Sequence, residues 1–133
     1  MEYSVISADD HVSETPGVWV DRVPAKIKQD VPHIQEIEGI STWFIGNEPV
    51  FRAGYAKNQE EIALRNKTAV PGNGTRSGDW NPIERLKDYT KDGVDAAALF
   101  PNFARFTGDP LGIIKDRDIR LACIQAYNDW LAE

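Results

Sequence analysis

The stretch "NPIERLKDYTKDGVDAAALFPN", residues 81–102, predicts a helix followed directly by a buried strand. Asn81 and Pro82 suit the N-cap and the first helical position. Gly93 comes where a left-handed C-cap is expected at the end of this helix. The next run, residues 94–100, is apolar apart from one aspartate, which is typical of a strand covered on both faces in a parallel sheet. The predicted helix has Glu84 in a capping-box position and an apolar face made of Ile83, Leu86 and Tyr89.

A second strand and a second helix flank this unit. Residues 3–8 are a short β-favouring apolar run that stops at Asp9, and residues 115–133 carry apolar side chains at three- and four-residue steps. The alternation predicts that residues 3–8 and 94–100 are parallel neighbours in one sheet, with helices packed outside it. The apolar stripe of the last helix consists of Ile119, Ala122, Cys123, Ala126, Tyr127 and Trp130.

A long insertion, about residues 14–79, separates the first strand from the first helix. Within it, residues 33–51 read as a small antiparallel hairpin or three-stranded piece, because turn residues fall at Glu38-Gly39 and Gly46-Asn47. The other predicted pieces are a short helical turn at 24–30, a helix at 58–67 and a glycine-rich loop at 70–79.

Composition narrows the class of protein. The 133 residues suit one domain, and 41% hydrophobic with 27% charged residues is ordinary for a globular protein. A net charge of −6 argues against nucleic acid as a partner, and no apolar run is long enough for a signal peptide or a membrane span. The single cysteine, Cys123, excludes an internal disulfide and is expected to be a small packed residue. These features predict a cytoplasmic location.

The chemistry-bearing residues of the opening stretch are Asp9, Asp10 and His11. Residues two apart in a strand share a face, so Asp9 and His11 should point to one side and Asp10 to the other. A carboxylate and an imidazole on one strand end are suitable ligands for a divalent metal such as zinc. The alternative is that the acidic residues only form a turn or a cap, as acidic residues after a strand commonly do. Asp-x-His by itself is a weak pattern for a metal site.

Three stretches carry a resemblance to a known family: "ISADDHVSETPGVW" at 6–19, "NPIERLKDYTKDGVDAAALFPN" at 81–102 and "IRLACIQAYNDWLAE" at 119–133. Together they resemble the amino-terminal part of the amidohydrolase-related, metal-dependent hydrolases, a group that includes decarboxylases related to aminocarboxymuconate semialdehyde decarboxylase. The resemblance implies an α/β fold: the amino-terminal portion of a (β/α)₈ TIM barrel, about two βα units, with a small β-hairpin insertion.

The resemblance also implies a site. The outer two positions of the family's first-strand motif bind the metal, and these are Asp9 and His11 here. The cofactor is then a divalent metal, zinc in the first place and manganese as an alternative. Glu14 is either a partner of the histidine or a loop residue, and Asn102 is either a substrate contact or a turn residue. The family expects further histidines and an aspartate from later strands, whereas His33 is more typical of a surface residue.

The predicted function is that of a fragment of a metal-dependent hydrolase or decarboxylase acting on a small carboxylate-bearing or aromatic substrate. In the decarboxylase branch, the resemblance implies that the metal binds the carboxylate and a neighbouring hydroxyl of the substrate. The alternative is a non-catalytic α/β interaction module, or relic, that pairs with another chain. Two βα units should leave apolar faces uncovered, including the stripe from Ile119 to Trp130, so we expect self-association, or pairing with the remainder of the barrel, and at best weak metal binding.

Overall fold

The computed structural model describes residues 4–68, 76–105 and 109–133. The strands are β1 (Ile6–Val12), β2 (His33–Ile37), β3 (Ile40–Ile45), β4 (Glu48–Arg52) and β5 (Ala96–Pro101). The helices are α1 (Gly17–Val20), α2 (Gln59–Thr68), α3 (Pro82–Asp92) and α4 (Arg117–Ala132). Short 3₁₀ turns occur at Ala25–Ile27, Ser77–Asp79 and Asp109–Ile113. None of the helices in these ranges is long and apolar enough to cross a membrane.

Strands β1 and β5 form a two-stranded parallel sheet, as the sequence predicts. The pairing runs from Ile6 opposite Ala96 to Val12 opposite Pro101. Helix α3 connects the strands and is capped as expected: the Asn81 side chain accepts the amides of the first turn, and the C-cap glycine has a φ of 72°. Residue 3, the start of the predicted first strand, lies outside the described residues.

The predicted end of the first strand is wrong, because β1 continues through Asp9, Asp10 and His11 to Val12. A β-bulge lies between Ser7 and Asp10, where one extra residue enters β1 relative to β5. The strand tolerates these polar residues for a physical reason. Asp10 has hydrogen-bonding partners on the helix side, and Asp9 and His11 remain exposed, so no unpaired charge is buried.

Strand β5 is not covered on both faces, which corrects a second prediction. Leu99 is 39% exposed, and on the neighbouring helix α3 the side chains of Ile83 and Leu86 are 65% and 63% exposed. The residues that the structure describes supply only two strands to this sheet, and Leu99 together with the apolar side of α3 remains open to solvent.

The insertion contains the predicted three-stranded piece, an antiparallel sheet in the order β2-β3-β4. The two turns fall where the sequence places them: Glu38 and Gly39 have φ values of 52° and 79°, and Gly46 has a φ of 59°. The predicted helix at 58–67 is confirmed as α2, and the helical turn at 24–30 as the 3₁₀ turn Ala25–Ile27. In the predicted loop at 70–79, residues 70–75 lie outside the described residues.

The hydrophobic core lies between the insertion and α4, not between the parallel sheet and its helices. Cys123 and Ala126 of α4 are 0% and 3% exposed and belong to one cluster with Trp19 and Trp43 of the insertion. The Trp19 indole also donates to the Cys123 carbonyl at 3.0 Å. The expectation that the stripe from Ile119 to Trp130 is uncovered is therefore wrong, because the insertion provides its partner. The large apolar side chains of α4 that are exposed belong to Leu121, Ile124 and Leu131.

A buried ion pair connects α2 to the end of the three-stranded sheet. The side chains of Glu61 and Arg65 are 0% and 4% exposed, and the guanidinium donates to the carboxylate at 2.5 Å. Arg65 also donates to the carbonyls of Ala53 and Tyr55 at 2.5 and 2.8 Å. The segment after β4 is thus held by a charged group instead of by regular secondary structure.

Candidate metal and substrate site

Asp9 and His11 lie together in the carboxyl-terminal half of β1. The His11 Nε2 atom is 3.4 Å from the Asp9 Oδ1 atom, and the two side chains are 38% and 70% exposed. The His11 ring also lies beside Phe100 of β5, with ring centroids 6.4 Å apart. The structure therefore brings the two predicted ligands onto one side of the strand, as the alternation of side chains predicts.

Asp10 faces the opposite side, toward α3. It accepts hydrogen bonds from the Ser7 hydroxyl at 3.0 Å and from the Tyr89 hydroxyl, and it lies 3.8 Å from the Arg85 guanidinium. Arg85 in addition donates to the His11 carbonyl at 2.6 Å. The back of the strand is thus tied to α3, while the front carries the candidate ligands.

The separation of Asp9 and His11 can be tested against metal geometry. Zinc binds histidine nitrogen and carboxylate oxygen at roughly 2.0–2.1 Å, so two ligands of a tetrahedral site lie about 3.3–3.4 Å apart. The observed 3.4 Å matches one edge of such a site. Within residues 4–68, 76–105 and 109–133, however, no group of three or more His, Cys, Asp or Glu side chains can hold a metal ion. The pair fits the metal but supplies two ligands of the usual three or four.

A cavity of about 350 Å³ opens beside His11. Residues from three separate segments line it: His11 from β1, Phe51, Arg52 and Gly54 from the end of the insertion's sheet, and Asn102 and Arg105 after β5. The Arg105 guanidinium lies 5.2 Å from the centre of the Phe51 ring, a cation–π distance. Among the side chains that the structure describes, neither Arg52 nor Arg105 forms an ion pair with a carboxylate. The cavity therefore offers positive charge to a ligand.

Gly54 allows the insertion to approach the two strand ends closely. A Cβ atom at this position would lie 2.1 Å from the Ser13 hydroxyl oxygen and 3.0 Å from the Asn102 amide nitrogen. Ser13 and Asn102 are themselves hydrogen-bonded at 3.0 Å. At this part of the cavity wall, the Gly54 backbone packs directly against the side chains of Ser13 and Asn102, and there is no space for a side chain at position 54.

Glu14 is buried just beyond β1, with 1% of its surface exposed. Both carboxylate oxygens accept the Phe103 amide, at 3.0 and 2.9 Å, so Glu14 connects the ends of the two parallel strands. Burial raises the pKa of Glu14 from 4.5 to about 7, although backbone hydrogen bonds partly oppose it. The charge of Glu14 adds to burial in raising the pKa of Tyr127 to about 12. The prediction that Glu14 is a partner of His11 stays a prediction.

His33 lies in the insertion, on β2, and its Nδ1 atom is 2.9 Å from the Val31 carbonyl oxygen. Its Nε2 atom is 3.0 Å from the Gln35 amide nitrogen. Both ring nitrogens of His33 are thus engaged within β2 and the segment before it. The ring is also stacked at a tilt on Phe44, with centroids 6.2 Å apart.

No protein-family model and no curated protein matches the chain. Among solved structures, an amidohydrolase from Mycobacterium avium subsp. paratuberculosis K-10 has a similar fold, with a TM-score of 0.64 and 16% sequence identity. The match covers 98% of this chain and 38% of that protein. The fold is therefore amidohydrolase-like, and the chain spans well under half the length of that protein. The narrower resemblance to aminocarboxymuconate semialdehyde decarboxylase-type enzymes stays a prediction.

Sequence reasoning missed three arginines of this region: Arg52, Arg85 and Arg105. Scattered basic residues give no signal of their own, because only the folded chain brings Arg52 and Arg105 together from segments more than 50 residues apart. A hint was available for Arg85, which comes in the first turn of a helix that must pack beside β1.

Proposed function

We propose that this chain forms one corner of the active site of an amidohydrolase-like enzyme, a hydrolase or a decarboxylase, that acts on a small carboxylate-bearing substrate. The observation that carries the proposal is the pair Asp9 and His11, 3.4 Å apart in the carboxyl-terminal half of a parallel strand, with His11 next to a cavity that two arginines line. Both features are at the edge of the sheet where parallel α/β folds hold their active sites.

The architecture that we propose for the whole site is a (β/α)₈ barrel in which β1 and β5 are neighbouring strands. The parallel pairing of β1 and β5 and the amidohydrolase-like fold support it. A barrel of this type takes roughly 250 residues. The remaining metal ligands would come from strands other than β1 and β5, because a catalytic site usually needs at least three protein ligands.

Asp9 and His11 would hold a divalent metal, zinc or alternatively manganese, through a carboxylate oxygen and an imidazole nitrogen. When bound, such a metal supplies Lewis acidity that polarises a carbonyl or lowers the pKa of water. The residues of the chain would bind and orient the substrate. Arg52 and Arg105 would hold its carboxylate, since guanidinium groups pair well with planar carboxylates, and Asn102 would contact its polar groups.

The metal proposal predicts the result of a Zn²⁺ titration. The wild-type chain should bind Zn²⁺ weakly, and His11→Ala should lower its affinity by at least about tenfold, because it removes one of two ligands. His33→Ala is the matched control, since His33 is the only other histidine in the sequence and lies on β2. Calorimetry or competition with a chromogenic chelator measures the affinity. Equal affinities of wild type and His11→Ala, or an equal loss in His33→Ala, would contradict the assignment.

The second candidate function is an interaction module that pairs with another chain, and the exposed apolar side chains favour it. Ile83 and Leu86 on α3 and Ile6 on β1 are 60–65% exposed. We expect the wild-type chain to associate as its concentration rises, and Ile83→Glu with Leu86→Glu to reduce that association. Lys91→Glu, on the same helix and with the same change in net charge, is the control. Sedimentation velocity over a concentration series measures the association of each variant. A wild-type chain that stays monomeric at every concentration would contradict this function.

A further inference from the structure

We propose that Arg85, acting with Asp10 and Tyr89, is a positioning residue that holds His11 and Asp9 in the orientation needed to bind a metal. The inference rests on the proposed function, in which these two side chains are metal ligands. Arg85 itself lies on α3, on the opposite side of β1 from the candidate ligands, and it touches neither ligand side chain in the hydrogen bonds described above.

The first argument is the contact of Arg85 with the main chain of the ligand residue. Its guanidinium donates to the His11 carbonyl at 2.6 Å and to the Asp79 carbonyl at 3.1 Å. The Asp79 carbonyl also accepts the Ser13 amide at 2.7 Å. Arg85 therefore fixes the backbone on both sides of Val12, directly at His11 and through Asp79 at Ser13. The Arg85 side chain is only 14% exposed, whereas its hydrogen bond to the His11 carbonyl lies at the surface.

The second argument is the bulge in β1. An extra residue between Ser7 and Asp10 interrupts the regular alternation, so strand pairing alone specifies the side-chain directions less strictly at this point. Asp10 restores them, because Ser7 and Tyr89 both donate to its carboxylate. With Asp10 held toward α3, the next residue of the regular strand, His11, points to the other side. Asp9 lies within the bulged stretch, and its Oδ1 atom, 3.4 Å from the His11 Nε2 atom, is on the same side as His11.

The third argument is how the members of the cluster depend on one another. Arg85 donates to the Tyr89 hydroxyl at 3.3 Å, and its guanidinium lies 3.8 Å from the Asp10 carboxylate. The Arg85 guanidinium thus lies close to three groups of this cluster. These groups are the His11 carbonyl, the Asp10 carboxylate and the Tyr89 hydroxyl that donates to Asp10. Removal of Arg85 would take away this donor to the His11 carbonyl and the cation beside Asp10, whereas Ser7 and Tyr89 would still donate to the Asp10 carboxylate.

The experiment uses the two histidines of the chain as site probe and internal reference. In a sample with ¹³C-labelled histidine rings, His11 and His33 each give one set of NMR resonances. Arg85→Met should shift or broaden the His11 ring resonances in the folded, metal-free chain and leave those of His33 unchanged. It should also lower the Zn²⁺ affinity, measured by titration of the His11 ring resonances, by roughly tenfold, the size expected when a residue that orients a ligand is lost. Arg85→Lys should bring both the His11 ring resonances and the Zn²⁺ affinity part of the way back to their wild-type values, because lysine keeps a cationic donor.

Arg76→Met is the control, since Arg76 pairs with Asp88 of α3 and is 62% exposed. If Arg85→Met lowers the melting temperature but leaves the His11 ring resonances as in wild type, the positioning role is wrong and Arg85 only attaches α3 to β1. If Arg85→Met does not fold, Arg85→Lys decides by the same comparison. If Zn²⁺ has no effect on His11 in wild type, the proposed metal function fails, while the metal-free comparison still decides the role of Arg85.

Discussion

Arg65→Met is expected to cost roughly 3–5 kcal/mol of unfolding free energy, the size reported for breaking a buried ion pair by removing one partner. The substitution keeps an apolar stem but leaves the buried Glu61 carboxylate without its cation. It also removes the donor to the carbonyls of Ala53 and Tyr55. Urea denaturation followed by tryptophan fluorescence measures the loss, because Trp43 lies in the core beside this segment.

Lys67→Met on the same helix is the matched control, since Lys67 is exposed and its replacement should change stability by less than about 0.5 kcal/mol. Burial opposes ionisation of Glu61, but hydrogen bonds from Lys57, Ser41 and Arg65 outweigh it and lower the pKa of Glu61 to about 2. This contribution to stability is therefore complete above about pH 4.5 and is lost as the pH falls toward 2. A loss of less than about 1 kcal/mol in Arg65→Met would show that the pair does not hold the segment.

Glu14→Gln is expected to stabilise the folded chain by up to about 3 kcal/mol at pH 8. The pKa of Glu14 is about 7 in the folded chain against 4.5 for the free group, a difference that corresponds to this free energy. Because the folded pKa is raised, the folded state holds the proton more tightly than the unfolded state. The wild-type chain therefore loses stability as the pH rises from about 4.5 to about 7. Glutamine keeps a carbonyl oxygen for the Phe103 amide but carries no charge.

The measurement is the unfolding free energy in urea at several pH values between 4.5 and 8. Glu14→Gln and wild type should have similar stability near pH 4.5 and should diverge as the pH rises. Glu60→Gln, which removes an exposed carboxylate at the start of α2, controls for the change in net charge. A constant difference between Glu14→Gln and wild type over this pH range would mean that Glu14 does not take up its proton on folding.

The parts of the fold that the sequence predicted well are those set by neighbours in the chain. The N-cap at Asn81 and the left-handed C-cap at Gly93 were both expected, because they depend on the side chain or the φ preference of one residue. The turns of the three-stranded sheet are equally local. The shared direction of Asp9 and His11 followed from the period of a strand, even though a bulge interrupts it.

The predictions that failed concern which surfaces are covered. The apolar stripe of α4 was expected to be exposed, yet Cys123 is fully buried against Trp19, which is 104 residues away along the chain. Periodicity identifies an apolar face but does not identify what covers it. The same limit explains why strand β5 was expected to be buried on both faces, although Leu99 is 39% exposed.

The sequence by itself determined the capped helix α3, the parallel βα order and the pair Asp9 and His11, because periodicity and capping act over a few residues. Only the tertiary structure decided the charge environment of the site. Glu14 receives the amide of Phe103 from 89 residues away, and Arg85 reaches the carbonyl of His11 from 74 residues away. Burial and ion pairing depend on which distant groups meet, and this is why the same glutamate or arginine reads as an ordinary surface residue until the chain is folded.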